Sequence, residues 1–71
     1  MTEAQFNKLQ ANRGVWDLYQ QVYSINTAHP QVQAINEVYQ ELRGTSINLS
    51  CGACVIEAMK QLFNEADQWN K

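Results

Sequence analysis

Apolar residues recur every three or four positions along most of this chain, which is the spacing of one face of an α-helix. The pattern predicts three helices, and no internal repeat or long linker divides the sequence. The predicted helices run from Thr2 to Tyr23 or Ser24, from Gln31 to Arg43, and from Ser50 to about Gln68. We therefore expect an all-α fold, a three-helix bundle, in a single domain that spans residues 1–71.

Residues that favour helix ends mark these boundaries. Thr2-Glu3-Ala4-Gln5 has the order of a capping box, in which two side chains satisfy free backbone amides of the first turn. Pro30 suits the first position of the second helix, because the missing N–H of proline has no helical partner there. Gly44 follows that helix and suits a left-handed C-terminal cap. Ser50 or Asn48 is expected to cap the third helix.

The first predicted helix has an irregular apolar pattern. Phe6 and Leu9 point nearly opposite to the apolar face of its second half, which consists of Val15, Leu18, Tyr19 and Val22, with Trp16 and Tyr23 at its edge. Gly14 lies between the two halves, and a glycine inside a helix costs about 1 kcal/mol relative to alanine. Either the helix breaks or bends near Gly14, or Phe6 and Leu9 form a second surface for a partner or a second copy.

The third predicted helix has an unusually wide apolar arc. Its members are Cys51, Cys54, Val55, Ile56, Ala58, Met59, Leu62, Phe63, Ala66 and Trp69. An arc of this width exceeds the stripe of an ordinary surface helix, so it predicts two neighbours, one of which can belong to another chain. The residues that we expect at an interface are Phe6, Leu9, Trp16, Cys51, Cys54, Phe63 and Trp69.

Ser50-Cys51-Gly52-Ala53-Cys54 contains both cysteines of the chain and allows three interpretations. A structural zinc site needs four ligands, whereas the chain offers Cys51, Cys54 and the single His29. Carboxylates or a second subunit would have to complete such a site. Thiol redox chemistry is the second interpretation, since a helix N-terminus stabilises a thiolate. The thioredoxin-like setting of that chemistry also includes a sheet, which the pattern does not predict.

Close packing is the third interpretation and the one that we favour. Cys51 falls within the apolar arc, and a reduced cysteine behaves as a small hydrophobic residue. Gly52 and Ala53 are also small, so the first turn would present a flat surface to the first helix or to a partner. We accordingly expect reduced cysteines, no bound metal and no cofactor. His29 is expected to cap a helix or face solvent.

Composition and charge exclude several classes of protein. The net charge is −2 and the five basic residues are scattered, whereas nucleic-acid binding requires a clustered basic surface. No apolar run approaches the roughly 20 residues of a membrane span, and the N-terminus lacks a signal-peptide core. We expect a cytoplasmic protein. Catalytic motifs such as a nucleophile elbow or a phosphate-binding glycine loop do not occur in the sequence, so we expect no enzyme.

The run from Ile47 to Ile56, INLSCGACVI, followed by Met59 and Leu62, resembles a pattern in short helical proteins encoded by bacteriophages. In those proteins an extended stub leads through a cysteine pair into an amphipathic helix. The resemblance covers about a third of the chain and carries no functional residue across. It implies a phage or mobile-element origin, with the host cytoplasm as the location and a host or virion component as the partner.

These observations favour a small non-enzymatic interaction protein that binds a protein partner through an apolar surface rimmed by amides. If the chain is phage-encoded, we expect this interaction protein to be an inhibitor or adaptor of a host protein. A thiol-redox or zinc-binding protein centred on Cys51 and Cys54 is the alternative, and a homo-oligomer that binds a small ligand between its subunits is a further one.

The sequence also predicts self-association. A chain of 71 residues builds a small core, and oligomerisation would add buried apolar surface. Light scattering should therefore report a homodimer or higher oligomer at micromolar concentration. A monomer mass that persists across a hundredfold range of concentration would contradict this expectation.

Overall fold

The fold consists of four α-helices in the computed structural model, which describes residues 1–69. The helices are α1 (Glu3–Ala11), α2 (Gly14–Val22), α3 (Pro30–Arg43) and α4 (Gly52–Gln68). The all-α expectation is confirmed. The expected number of helices differs, because the first predicted helix is two separate helices. Within the described residues, none of the helices has both the length and the apolar character needed to cross a membrane.

The break between α1 and α2 lies at Asn12 and Arg13. The Asn12 side-chain amide donates a hydrogen bond of 2.7 Å to the carbonyl of Lys8, a helix-end carbonyl that would otherwise lack a partner. The backbone N–H of Arg13 donates to the carbonyl of Gln10 over 3.3 Å, which tightens the end of α1. The predicted break is thus confirmed. Gly14 opens α2 without a left-handed φ, so the asparagine bond rather than glycine flexibility ends α1.

The break turns the apolar residues of both halves towards one core. Leu9 is fully buried, and Val15 and Trp16 of α2 are buried with it. Phe6 is half-buried against the same core and stacks on Trp69, with ring centroids 4.8 Å apart. The alternative in which Phe6 and Leu9 form a separate surface is therefore wrong for the folded chain.

Helix α4 supplies the largest share of the core and packs against both α1 and α3. Its buried side chains are Val55, Ala58, Met59, Leu62, Phe63 and Ala66, and α3 contributes Val32, Ile35 and Val38. The wide apolar arc thus finds two neighbours within the same chain. Because the arc was one reason to expect self-association, that prediction now depends on other surfaces.

The expected caps of α1 and α3 are present. The Thr2 hydroxyl accepts a hydrogen bond from the Gln5 N–H over 3.2 Å, and the Gln5 side chain accepts one from the Thr2 N–H over 2.8 Å. Pro30 is the first residue of α3, and Gly44 ends that helix with a φ of +74°. Only glycine adopts that conformation without steric cost, which is why the helix stops there.

One buried polar side chain holds the connection between α3 and α4. The helical phase of Asn36 places it on the polar face of α3, yet its exposed fraction is 6%. Its side-chain oxygen accepts a hydrogen bond of 2.8 Å from the N–H of Ile47, and its amide donates one of 3.1 Å to the Ser46 hydroxyl. These bonds press Ile47 into the core, although the connection has no regular secondary structure.

Replacing Asn36 should destabilise the fold through this connection. Asn36→Ala leaves the buried N–H of Ile47 without its acceptor, and such a loss typically costs about 1–3 kcal/mol. Gln33→Ala, an exposed change on the same helix, should alter the free energy of unfolding by less than about 0.5 kcal/mol. Urea unfolding followed by circular dichroism measures both. Equal values for the two variants would show that the bonds of Asn36 contribute little.

Candidate functional site

An open groove between α2 and α4 is the candidate functional site. Its volume is about 690 Å³. Aromatic rings form its floor and one wall, and polar side chains form the other wall. The lining residues are Trp16, Tyr19, Gln20 and Tyr23 from the α2 side, with Glu57, Lys60, Gln61, Phe63, Asn64 and Asp67 from α4.

Four aromatic rings form a continuous row along the groove, which we call the aromatic row: Phe63, Trp16, Tyr19 and Tyr23. Trp16 lies between Phe63 and Tyr19, with ring centroids 5.9 and 5.7 Å away, and both contacts are stacked. Tyr23 meets Tyr19 edge to face at 6.2 Å. Trp16, Tyr19 and Tyr23 share one face because they are three and four residues apart on α2.

Exposure increases along the aromatic row. Phe63 is 1% exposed, Trp16 is 9% exposed, Tyr19 is half-buried and Tyr23 is 79% exposed. The buried end anchors the row in the core, and the exposed end presents an aromatic side chain to solvent. This arrangement combines a rigid base with an accessible apolar surface, which suits binding.

Tyr23 has an unusual backbone conformation. Its φ is +54°, and it is the only non-glycine residue among residues 1–69 with a positive φ. Its N–H donates a bond of 2.7 Å to the carbonyl of Tyr19, so the residue closes α2 in the left-handed region. A bulky residue rarely adopts this region, and such strain is concentrated at functional positions. This conformation ends α2 at the most exposed ring of the row.

The polar wall carries amides, two carboxylates and one ammonium group. Gln20, Gln61 and Asn64 are exposed at the rim, and the Asn64 side-chain oxygen accepts a hydrogen bond of 3.2 Å from Gln68. Glu57 and Lys60 lie on the same wall, and neither forms an ion pair within the described residues. The rim therefore offers hydrogen-bond donors and acceptors without a strong local charge.

An ion pair ties the α1–α2 junction to α4 beside the buried end of the aromatic row. Two guanidinium nitrogens of Arg13 donate to the two carboxylate oxygens of Asp67 over 2.9 and 3.1 Å. The guanidinium also lies 5.1 Å above the ring of Phe63. Its hydrogen bonds hold the pKa of the Asp67 carboxyl below its usual value, and the carboxylate raises the pKa of Arg13.

The expected interface residues occupy several different environments. Leu9 and Phe63 are buried within the fold, and Phe63 forms the buried end of the aromatic row; their expected role at an interface stays a prediction. Trp16 belongs to the groove. Trp69 follows the end of α4 and is held by its stack on Phe6, outside the set of residues that line the groove.

The two cysteines differ from the expected reduced state, because Cys51 and Cys54 are joined in a disulfide. Their Cα atoms lie 5.2 Å apart, as the first turn of a helix brings residues three apart into proximity. Cys51 is also the N-cap of α4, and its sulfur accepts a hydrogen bond of 3.2 Å from the Cys54 N–H. The expected caps are wrong: the Asn48 side chain instead accepts from the Ser50 N–H within the preceding turn.

The expected packing against this small-residue turn is absent within the described chain. Gly52, Ala53 and Cys54 are exposed, and Cys51 is half-buried. A Cβ atom added at Gly52 would meet nothing within 4 Å in the described structure. Neither α1 nor any other helix of this chain covers the turn, and packing by a partner stays a prediction.

His29 lies far along the chain from both cysteines and caps α3. Its Nδ1 atom accepts a hydrogen bond of 3.0 Å from the Gln31 N–H, so its expected capping role is confirmed. In the described residues, no group of three or more histidine, cysteine, aspartate or glutamate side chains is placed to hold a metal ion.

The apolar pattern does not predict the groove, because it assigns the wrong residues to the inward-facing side of α2. The apolar pattern put Leu18 and Val22 at the centre of the face, yet they are 51% and 55% exposed. Trp16 and Tyr23 were expected at its edge, and they line the groove instead. The available signal was the aromatic spacing of three and four residues on α2.

Comparisons of this chain with protein-family models, with curated proteins and with solved structures found no match. The function must therefore be argued from the residues and their geometry.

The Arg13–Asp67 pair predicts a specific dependence of stability on pH. Because the folded state depresses the pKa of Asp67, the pair stabilises the fold at neutral pH, and this contribution disappears as the pH falls through the folded-state pKa. Asp67→Asn should therefore lower the free energy of unfolding at neutral pH, with a difference from wild type that shrinks on acidification. Urea titrations at several pH values measure this difference.

Glu57→Gln is the matched control, since it removes one carboxylate charge from the same helix without breaking an ion pair. Its effect should be smaller than that of Asp67→Asn at neutral pH. If the difference in free energy of unfolding between Asp67→Asn and wild type stays constant down to acid pH, the ion pair is not the cause of that difference.

Proposed function

We propose that this chain is a small non-enzymatic interaction protein that binds a protein partner in the groove between α2 and α4. The aromatic row beneath an amide rim is the observation that carries the proposal. Tryptophan and tyrosine supply large contact areas with few rotatable bonds, and they are enriched where binding energy is concentrated.

The spacing of the row favours a helical segment of the partner. Along α2, the ring centroids of Trp16 and Tyr19 lie 5.7 Å apart and those of Tyr19 and Tyr23 lie 6.2 Å apart, which is close to the repeat of about 5.4 Å per turn of an α-helix. Apolar side chains one turn apart on a partner helix would thus contact Tyr19 and Tyr23, which form the accessible end of the row. Trp16, Tyr19 and Tyr23 of the row are themselves spaced at this repeat along α2, so the two helices would lie side by side.

The charges of the groove favour selection by shape rather than by electrostatics. Glu57 and Lys60 lie one turn apart with opposite signs, and the Asp67 carboxylate is engaged by Arg13. The side-chain amides of Gln20 and Gln61 at the rim can form hydrogen bonds with either donors or acceptors of a partner. Association should consequently depend only weakly on salt concentration.

The resemblance of the INLSCGACVI stretch to phage-encoded helical proteins suggests a host protein as the partner, with inhibition or recruitment as the outcome. Self-association has a separate candidate surface on α2, where Leu18 and Val22 are exposed one turn apart. Neither residue lines the groove, so a second copy at this patch and a partner in the groove would contact different residues.

Selection from a library of displayed helical peptides, followed by mapping with amide chemical shifts, tests the proposed groove. We expect selected peptides to carry apolar or aromatic side chains at helical spacing and to shift the resonances of residues that line the groove. Tyr19→Ala should weaken binding of a selected peptide by about tenfold or more, since a central aromatic contact is lost. Titration by fluorescence of labelled peptide measures the dissociation constant.

Leu18→Ala is the matched control on the same helix, because Leu18 is exposed outside the groove. It should leave peptide affinity within about twofold of wild type, since exposed side chains away from a contact contribute little. Peptides that shift the Leu18 and Val22 resonances instead of the aromatic row would reject the groove as the binding site.

A further inference from the structure

The disulfide between Cys51 and Cys54 is open to solvent. Cys54 is exposed, Cys51 is half-buried, and the two residues between them are exposed as well. A Cβ atom added at Gly52 would meet no described residue within 4 Å beyond its chain neighbours and the backbone of its own helix. An incoming thiol therefore has a path to the sulfur atoms, whereas a buried disulfide is protected from exchange.

The fold also gives the two sulfur atoms different environments. The Cys51 sulfur is positioned at the N-cap of α4, a helix of 17 residues, and accepts the hydrogen bond from the Cys54 N–H. When the disulfide opens, this amide and the positive end of the helix dipole stabilise a thiolate on Cys51. Cys54 is exposed as a residue whereas Cys51 is half-buried, and we therefore assign the Cys54 sulfur as the one that an attacking group reaches.

We propose that Cys51 and Cys54 form a thiol–disulfide exchange site whose substrate is an accessible dithiol of another protein. This activity goes beyond the proposed binding function and involves other residues. The disulfide closes a loop of only four residues, so it restrains the unfolded chain less than a long loop would. The core lies elsewhere, which allows the bond to open without loss of the fold.

The exchange proceeds in two balanced steps. A thiolate of the substrate attacks the Cys54 sulfur, a mixed disulfide forms, and Cys51 leaves as a thiolate that accepts the Cys54 N–H. The second thiolate of the substrate then attacks its own sulfur in the mixed disulfide and displaces the Cys54 thiolate. The substrate dithiol loses two electrons and becomes a disulfide, while the Cys51–Cys54 disulfide gains them and becomes a dithiol.

Cleavage of the disulfide by dithiothreitol at neutral pH tests the exchange. An oxidised peptide with the sequence of residues 48–56 is the reference, since it contains the same disulfide-closed loop without the folded helix. We expect the folded chain to react about tenfold faster than the peptide, because a stabilised thiolate leaves more readily. A rate equal to or below that of the peptide would identify the disulfide as a passive crosslink and overturn the proposal.

The two single variants test the assigned roles. Cys54→Ser leaves Cys51 as the single thiol and keeps the backbone N–H of residue 54, which donates a hydrogen bond to the Cys51 sulfur. Cys51→Ser leaves Cys54 as the single thiol. The rate of alkylation by iodoacetamide should reach its half-maximum at a lower pH for Cys51 than for Cys54. The reverse order, or coincident profiles in two variants that retain wild-type circular dichroism, would reject the assignment.

The double variant Cys51→Ser/Cys54→Ser separates this proposal from the groove. It should keep its fold and its affinity for groove-binding peptides while losing all exchange with dithiothreitol. Loss of peptide binding in a folded double variant would contradict the separation of the two sites.

Discussion

The chain turns between α1 and α2 at Asn12 and Arg13, and this turn allows residues of both helices to enter one core. A continuous first helix would direct Leu9 and Val15 to different sides, and one of them would remain outside the core. The hydrogen bond from the Asn12 side chain to Lys8 ends α1 and allows α2 to rotate, so both residues become buried. Arg13 then reaches Asp67 and Phe63, which joins the break to the last turns of α4.

The groove is a consequence of the same rotation. Val15 and Trp16 of α2 are buried in the core. The other two aromatic residues of α2, Tyr19 and Tyr23, then line the groove between α2 and α4. Trp16 connects the core to the groove, because it stacks on buried Phe63 and on Tyr19. The residues that stabilise this region and the residues that we propose to bind a partner therefore belong to one continuous set of rings. The disulfide at the start of α4 shares no residue with that set, so the two proposed activities are compatible within one small fold.

Much of the fold was predictable from local signals. The capping box at Thr2, the boundaries at Pro30 and Gly44, and the break near Gly14 all depend on residues close together in the sequence. The burial of Asn36 was not predictable in this way, because its partners Ser46 and Ile47 lie in a connection without regular structure. The disulfide was also unexpected, since the assumption of a reducing compartment outweighed the proximity that a helical turn imposes on Cys51 and Cys54.

Local sequence signals alone predict that the described chain is helical, where α1 starts, where α3 starts and ends, where α4 ends, and that α4 has an arc wide enough for two neighbours. These properties follow from periodicity and from capping, which act over one or two turns. The packing of the helices, in contrast, places both neighbours of α4 within the same chain, leaves Leu18 and Val22 exposed, and lines a groove with the aromatic row. The physical reason is the rotation of α2 after the break, because helical phase defines a face but the packing of distant helices decides where that face points.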